Sequence, residues 1–214
     1  MNCLARFARG LLISLMLPLS AIAADLQDDI RTLQLDWEVI RYQTPSSDKA
    51  NRFEALAARS RAVSERYAGR SEPLIWEGII LSSLAGEKGG LGALGLVKRA
   101  KALYEQAIET DGTALEGSAY NSLGVLYYKV PGWPLGFGDK DKAGELLRKA
   151  LSINPDGLDS NFFYAEYLVE IKKPAEAMTH LERALKALDR PGRNIADTGR
   201  REEVRALIAR LKAS

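Results

Sequence analysis

The feature that most constrains this chain is a residue pattern that recurs after 34 residues in its C-terminal half. Residues Ala143–Ala150 and Ala177–Ala184 both read A-x3-L-x2-A, and their first alanines are 34 residues apart. Spacings of three and four place these residues on one face of a helix. A stripe of this kind that repeats at this period indicates stacked helical units, each of which buries its apolar face against the next.

A second pattern precedes the first copy and narrows the kind of repeat. Residues Tyr120–Tyr127 read YNSLGVLY, and Pro155 follows the helix that starts near Ala143. Together they match the tetratricopeptide (TPR) pattern, W-x2-L-G-x2-Y in helix A and A-x3-F…P in helix B. The small residue Gly124 lets two antiparallel helices approach closely, and proline ends helix B because it cannot continue it. The segment therefore resembles a TPR unit.

The whole chain after its first two dozen residues fits this organisation. We predict units at about residues 74–112, 118–155 and 159–189, of which the first matches least well. An apolar stripe over 26–40 and a second helix capped by Asp48 form a degenerate N-terminal pair. A last helix over 198–212 suits a cap, and nine Lys/Arg against five Asp/Glu from Glu182 onward indicate that it is solvated. The predicted fold is all-α: a TPR-like α-solenoid of antiparallel helix pairs with capping helices at both ends.

The N-terminus carries the marks of an export signal. Arg6 and Arg9 precede a short apolar run, and Ala21–Ala23 gives an A-x-A cleavage site. The run is too short to span a bilayer, which takes about 20 apolar residues. We expect residues 1–23 to be removed, leaving a periplasmic domain over 24–214. That domain would contain 28 basic and 28 acidic residues, a balance that argues against nucleic-acid binding. It would also lack cysteine, because Cys3 leaves with the signal.

Candidates for catalysis or metal binding are few. Gly90–Gly95 fits G-x-G-x-x-G, but no strand precedes it, so we interpret it as a glycine-rich loop and not a dinucleotide site. His180 is the only histidine and is expected at the surface. Asp139 and Asp141 suit the N-terminus of a helix better than an acid pair. The sequence shows no nucleophile with a base, and we predict a non-enzyme with no cofactor and no metal.

Two insertions separate helix A from helix B in successive units. Relative to the third unit, Ala85–Gly95 adds about ten residues and Val130–Lys140 adds about seven. Because repeats stack in register, we expect two loops side by side on one edge, a common place for binding. Trp133 then either anchors its loop to the helices or contacts a ligand. The predicted lip of a binding site consists of Gly90, Gly92, Gly95, Pro131, Trp133, Pro134 and Phe137.

Helix A of each unit is expected to line a concave groove. The groove positions follow from aligning the small residues of the three helices, and they are Ile75, Ile79, Ser82, Ser83, Asn121, Val125, Tyr128, Lys129, Phe162, Glu166, Val169 and Glu170. This face is partly apolar and lacks clustered Lys/Arg, which favours a small apolar ligand or an apolar peptide segment. The alternative is that these side chains only pack between turns of the superhelix.

One resemblance goes beyond the generic repeat. Residues Tyr128–Leu168 resemble the TatT family, TPR components associated with TRAP-type transporters in bacterial envelopes, most specifically at Pro131–Pro134 and Gly138–Asp139. The resemblance implies a periplasmic protein that contacts a substrate-binding subunit and holds a small apolar or organic ligand. Ala23–Ala24 stand where many relatives carry a lipoprotein cysteine. Two hypotheses follow: a transport accessory, or an envelope scaffold that binds only proteins, with a further copy of the chain as another partner.

Overall fold

The computed structural model describes residues 17–213, and the greater part of the predicted export signal lies outside them. Within that range the chain forms nine α-helices and no strand. The helices are α1 (Leu17–Gln43), α2 (Ser46–Arg66), α3 (Ser71–Lys88), α4 (Gly90–Asp111), α5 (Ala114–Lys129), α6 (Lys140–Ile153), α7 (Leu158–Glu170), α8 (Pro174–Lys186) and α9 (Asn194–Lys212). None of them is long and apolar enough to cross a membrane. The prediction of an all-α solenoid is confirmed.

Small residues bring paired helices together, as the repeat pattern requires. A Cβ added at Gly124 of α5 would lie 2.7 Å from Leu147 Cγ of α6, and one at Gly78 of α3 would lie 2.5 Å from Tyr104 Cε1 of α4. Leu147 and Tyr104 are both fully buried. Each larger side chain therefore fills the space that a missing Cβ leaves, and the two backbones approach closely.

The helices are arranged as a ring. Helices α1, α3, α5, α7 and α9 each contact the next in that order, and α9 also contacts α1. The other four helices, α2, α4, α6 and α8, each pack between two neighbouring members of this inner set. An ordinary solenoid is open at both ends, whereas here the first and last inner helices meet. We call the α1–α9 contact the seam.

A buried carboxylate holds the seam together. Glu38 of α1 is 1% exposed, and its Oε2 accepts a hydrogen bond of 2.8 Å from the backbone N–H of Ala196 in the first turn of α9. Its Oε1 accepts a 3.1 Å bond from Nε of Arg193. Farther along, Arg41 pairs with Glu203 at 2.7 Å. Glu38 thus satisfies one of the free N–H groups at the start of α9. The last helix closes the solenoid and is exposed along its outer side, as predicted, but its first turn is buried against α1.

The N-terminal helices agree with expectation in their core and differ in two details. The predicted apolar stripe over 26–40 is buried, with Leu33 only 2% exposed. Helix α1 is continuous through Ala23, so the predicted cleavage position falls inside a helix. Helix α2 begins at Ser46 with Pro45 before it, so Asp48 lies in the first turn and is not the cap. Proline supplies the extended backbone that separates the two helices.

The first insertion is not a loop. Helix α3 continues to Lys88, α4 begins at Gly90, and only Gly89, with φ of 61°, separates them. The extra residues lengthen both helices. A glycine inside a helix costs about 1 kcal/mol relative to alanine, but Val97 of α4 is buried in the same apolar cluster as Leu81 of α3. Packing of this extended pair offsets the poor helix propensity, and the loop prediction for Ala85–Gly95 is wrong.

Candidate functional site

The inner helices surround a cavity of about 780 Å³. This volume lies within the range of pockets that bind small molecules, about 300–1,000 Å³. Eight of the predicted groove residues line the cavity, and they come from α3, α5 and α7: Ile79, Ser82, Ser83, Asn121, Val125, Lys129, Phe162 and Glu166. The register of the repeats therefore brings these side chains to one partly open space.

Four predicted groove residues lie elsewhere. Ile75 is fully buried in an apolar cluster with Leu74, Ala107 and Ala119. Tyr128 is 7% exposed, and its hydroxyl donates a 3.0 Å hydrogen bond to Glu166 Oε2. The remaining two lie off the cavity as well: Val169 packs against the C-terminal core, and Glu170 forms an exposed ion pair with Lys140. Assigning these positions to the groove is wrong, because each points between helices or to the outside.

The cavity also has a basic wall that the sequence analysis missed. It consists of side chains from α1, α9 and the connection before α9, namely Arg41, Arg190, Arg193, Arg200 and Arg210. The expectation of a face without clustered Lys/Arg considered only α3, α5 and α7. Closure of the ring adds a further face, and its signal in the sequence is the arginine-rich run over 190–201.

Carboxylates fix most of these arginines in place. Asp159 accepts a 2.7 Å bond from Arg200 Nε and another of 2.7 Å from Arg190 Nη1. Asp197, only 2% exposed, accepts a 2.8 Å bond from Arg190 Nε. Burial alone would raise the pKa of Asp159, but the positive charges of Arg200 and Arg190 outweigh burial and hold that pKa well below its usual range. The carboxylate is therefore ionised and the arginines are pre-oriented.

Aromatic rings support the arginines from the other side. The guanidinium of Arg200 lies 4.7 Å from the ring centre of Phe162 and 4.4 Å from that of Phe163. The guanidinium of Arg193 lies 5.2 Å from the ring centre of Trp76. Stacking of this kind suits a planar guanidinium and leaves its edge free for hydrogen bonds. The wall thus combines cationic edges with apolar faces.

Three residues that line the cavity each carry a buried polar atom with no hydrogen-bond partner within the described part of the chain. The atoms are Tyr42 Oη, Trp76 Nε1 and Asn121 Oδ1. Trp76 and Asn121 are 4% and 7% exposed. Buried side-chain polar atoms are bonded in the large majority of cases, so all three atoms call for an explanation.

The few candidates for chemistry have structural roles. Among residues 17–213, no group of three or more His, Cys, Asp or Glu side chains could hold a metal. His180 is half-buried, its Nδ1 lies 2.9 Å from Asn161 Oδ1, and burial lowers its pKa. Asp139 caps α6, accepting bonds of 2.9 and 3.0 Å from the N–H groups of Asp141 and Lys142.

The second insertion forms a projecting loop, residues 130–139, which we call the tip. Trp133 is 90% exposed and Leu135 is 72% exposed. Phe137, by contrast, packs edge-on against Tyr127 at 5.5 Å between ring centres. Phe137 is therefore the anchor, and the interpretation of Trp133 as the anchor is wrong. None of the predicted lip residues lines the cavity, although Phe137 shares an apolar cluster with Leu94 of the first insertion.

Comparison with known proteins agrees with this geometry. A family profile described as tetratricopeptide repeat matches residues 135–156, which include α6. This match supports the predicted repeat unit around α6, within a helical solenoid. The crystal structure of a thermophilic TPR protein from Thermus thermophilus superposes with a TM-score of 0.57 and 13% identity, covering 86% of this chain and 99% of that one. At this identity the likeness shows the fold alone. A search of curated proteins finds no match.

TPR repeats suggest a protein–protein interaction scaffold, and proteins built from them are generally non-catalytic. In this helical solenoid two surfaces stand out, the partly open cavity and the exposed tip. The cavity is lined by all five inner helices, whereas the tip belongs to the second unit alone, so the two surfaces can be tested separately.

Proposed function

We propose that this TPR protein is a non-catalytic adaptor that binds a protein partner through Trp133 and Leu135 at its tip. The observation that carries the proposal is the 90% exposure of Trp133, in a protein whose other two tryptophans, Trp37 and Trp76, are buried. Tryptophan is enriched among the residues that dominate binding energy at protein interfaces. Leu135 extends the same apolar patch by a second exposed side chain.

The backbone of the tip is tied down, which makes it suitable for recognition. The N–H groups of Leu135 and Gly136 both donate to Gly132 O at 3.1 Å, and Gly138 N–H donates to Pro131 O at 2.9 Å. Asp139 N–H donates to Tyr127 O at 2.8 Å, which fixes the loop to the end of α5. A loop that is already ordered loses little conformational entropy on binding. The tip therefore presents its tryptophan in a defined place.

The finer form of the proposal names the compartment and the partner. The protein acts outside the cytoplasm after export, and its partner is the substrate-binding subunit of a TRAP-type transporter. The export features at Arg6, Arg9 and Ala21–Ala23 support the first statement. The resemblance to the TatT family supports the second, because its most specific residues, Pro131–Pro134 and Gly138–Asp139, form this tip.

In-cell cross-linking tests the proposal. A photoreactive phenylalanine at position 133 is irradiated in living cells, and the adducts are identified by mass spectrometry. We expect a solute-binding subunit among them, and in a pull-down with that subunit Trp133→Ala weakens binding by roughly 30-fold or more. Leu188→Ser is the matched control, because Leu188 is 89% exposed on a different loop. Its binding should equal that of the wild type.

The result separates the two hypotheses. If the adducts contain only envelope-assembly proteins, the chain is a scaffold and the transport role is wrong. If Trp133→Ala binds every partner as tightly as Leu188→Ser does, the tip is not the docking surface. Neither variant should alter the melting temperature by more than a degree or two, because both side chains are almost fully exposed.

A further inference from the structure

The seam differs from the other junctions of the ring in its outer layer. Helix α2 packs between α1 and α3, α4 between α3 and α5, α6 between α5 and α7, and α8 between α7 and α9. No third helix of residues 17–213 contacts both α9 and α1. Four junctions are therefore covered by a second helix, whereas the seam is a single layer thick.

Apolar packing joins α9 mainly to α7 and α8. Val204 and Leu207 of α9 are buried in the same apolar cluster as Phe162 of α7 and Leu181 of α8. In the described chain, Ala196 is the one residue of α9 in the apolar cluster that contains α1. Two ion pairs and a hydrogen bond to the start of α9 supply the polar contacts of the seam. Because hydrophobic stabilisation scales with the apolar area buried, α9 is attached more strongly to α7 and α8 than to α1.

Charged groups strengthen the attachment of α9 to α7. Asp159 of α7 accepts hydrogen bonds of 2.7 Å from Arg200 Nε and from Arg190 Nη1. The guanidinium of Arg200 also lies against the rings of Phe162 and Phe163. All these residues belong to the C-terminal part of the chain. Separation of α1 from α9 would break none of these contacts, so α9 can stay on α7 when the seam parts.

One buried group opposes closure of the seam. The ring of Tyr42 on α1 lies so close to Gly199 of α9 that a Cβ added at Gly199 would be 2.3 Å from its Cδ1. The hydroxyl oxygen of Tyr42 is buried and has no hydrogen-bond partner within the described residues, and burial raises the pKa of this hydroxyl. A buried hydroxyl without a partner is unfavourable relative to one that is bonded to water. Closure therefore carries a cost that opening removes.

We propose that the ring opens at the seam. In the open state α1 is separated from α9, α9 remains on α7 and α8, and the described helices stay folded. The closed state is held by the pairs of Glu38 with Arg193 and of Arg41 with Glu203, and it is opposed by the unsatisfied hydroxyl of Tyr42. Opening involves no residue of the tip, so this inference does not rest on the proposed function and either one can fail alone.

Opening changes what can reach the inner helices. An α-helix with its side chains is about 10 Å wide and rises 1.5 Å per residue, so a cavity of about 780 Å³ holds about six helical residues, less than two turns. In the open state the inner faces of α3, α5 and α7 form a concave surface with a free edge, as in an open solenoid. The closed ring therefore admits small molecules or short segments, and the open ring also admits a longer segment of chain.

Hydrogen exchange of the purified protein, followed by mass spectrometry, tests the proposal at residues 196–200. Tyr42→Phe removes only the unsatisfied hydroxyl, so it should slow exchange there by roughly 5- to 30-fold. Tyr128→Phe is the matched control, because the Tyr128 hydroxyl donates to Glu166 between α5 and α7, and that bond survives opening of the seam. This control should accelerate exchange over residues 119–126 of α5, which requires unfolding, and leave exchange over residues 196–200 within about twofold of the wild type.

A disulfide across the seam supplies an independent test. A Cβ at Gly199 would lie 2.6 Å from Cγ of Tyr42, so Cβ atoms at positions 42 and 199 are no more than about 4 Å apart, as a disulfide requires. Tyr42→Cys and Gly199→Cys are made together with Cys3→Ser. Exchange over residues 196–200 should be at least roughly tenfold slower in the oxidised protein than in the same protein after reduction.

Each variant can overturn the proposal. If Tyr42→Phe exchanges at residues 196–200 as fast as the wild type or faster, the hydroxyl has a partner in the closed ring and does not oppose closure. If Tyr128→Phe accelerates exchange at the seam as much as in α5, the seam opens only when the whole protein unfolds. If oxidation of the seam disulfide leaves exchange over residues 196–200 unchanged, α1 and α9 do not separate in the native protein.

Discussion

Glu38→Gln is the sharpest test of ring closure. Glu38 is 1% exposed and accepts one hydrogen bond from the start of α9 and one from Arg193, whose side chain is 13% exposed. The amide has nearly the same shape, but its NH2 group faces a donor and its charge is gone. Arg193 is then left buried without its counter-charge, and the first turn of α9 loses an acceptor.

The expected loss in the free energy of unfolding can be given an approximate size. Breaking a buried ion pair by removing one partner costs about 3–5 kcal/mol. We take about 3 kcal/mol, because the glutamine oxygen keeps one of the two hydrogen bonds. For a domain of this size a loss of 1 kcal/mol lowers the melting temperature by about 2–4 °C, so we expect a decrease of roughly 6–12 °C.

Circular dichroism on heating measures this decrease, and hydrogen exchange followed by mass spectrometry locates it. Exchange should accelerate over residues 194–200 and at the C-terminal end of α1. Asp36→Asn is the control on the same helix, because its 2.6 Å pair with Arg59 is exposed and worth about 0.5 kcal/mol. If Glu38→Gln melts within 2 °C of Asp36→Asn and exchange at the seam is unchanged, the ring is not held as we argue.

Three further predictions concern stability. Asp159→Asn should lower the free energy of unfolding by about 3 kcal/mol at pH 7. The pKa of Asp159 is lower in the folded protein than its unfolded value of about 4, so its contribution to stability is present above pH 4 and is lost as the pH falls through the folded value. Urea titrations should therefore show that the difference in unfolding free energy between wild type and Asp159→Asn shrinks below pH 4. Gly95→Ala, in an exposed helical position with nothing within 4 Å, should stabilise by about 0.5–1 kcal/mol; an unchanged or lower value in the same titration would contradict helicity there. Gly78→Ala should destabilise by about 1–3 kcal/mol, since its Cβ would lie 2.5 Å from Tyr104; wild-type stability would show that the α3–α4 contact is looser than described.

The repeat could be predicted from the sequence because the contacts between its paired helices involve residues that are close in sequence and recur at fixed spacings. Close approach of two helices needs a small residue, and Gly124 and Ala143 supply it at fixed spacings. The same register placed Asn121, Val125 and Phe162 toward one space. It did not resolve which way Ile75 points, because a rotation of one helical position moves a side chain from the groove into the core.

The contact between α1 and α9 at the seam could not be predicted from the sequence. Glu38 and Arg193 are 155 residues apart, and their contact has no period and no motif. A run of arginines near the C-terminus is compatible with a solvated helix as well as with buried ion pairs. Only the three-dimensional position of α1 decides between them. The choice between Trp133 and Phe137 as the anchor of the tip is similar, since both are aromatic residues in the same glycine- and proline-rich segment.

The seam also sets how many repeats the protein can have. An open solenoid gains or loses a 34-residue unit at little cost, because each unit contacts only its neighbours. Here every inner helix is one segment of a closed circuit, and a duplicated unit would carry α9 away from α1 and leave Glu38 without Arg193. Duplication and deletion of whole repeats, the usual route by which such proteins change length, therefore break this molecule. Both insertions respect this limit, because the first lengthens α3 and α4 and the second forms the tip, and neither adds a segment to the ring.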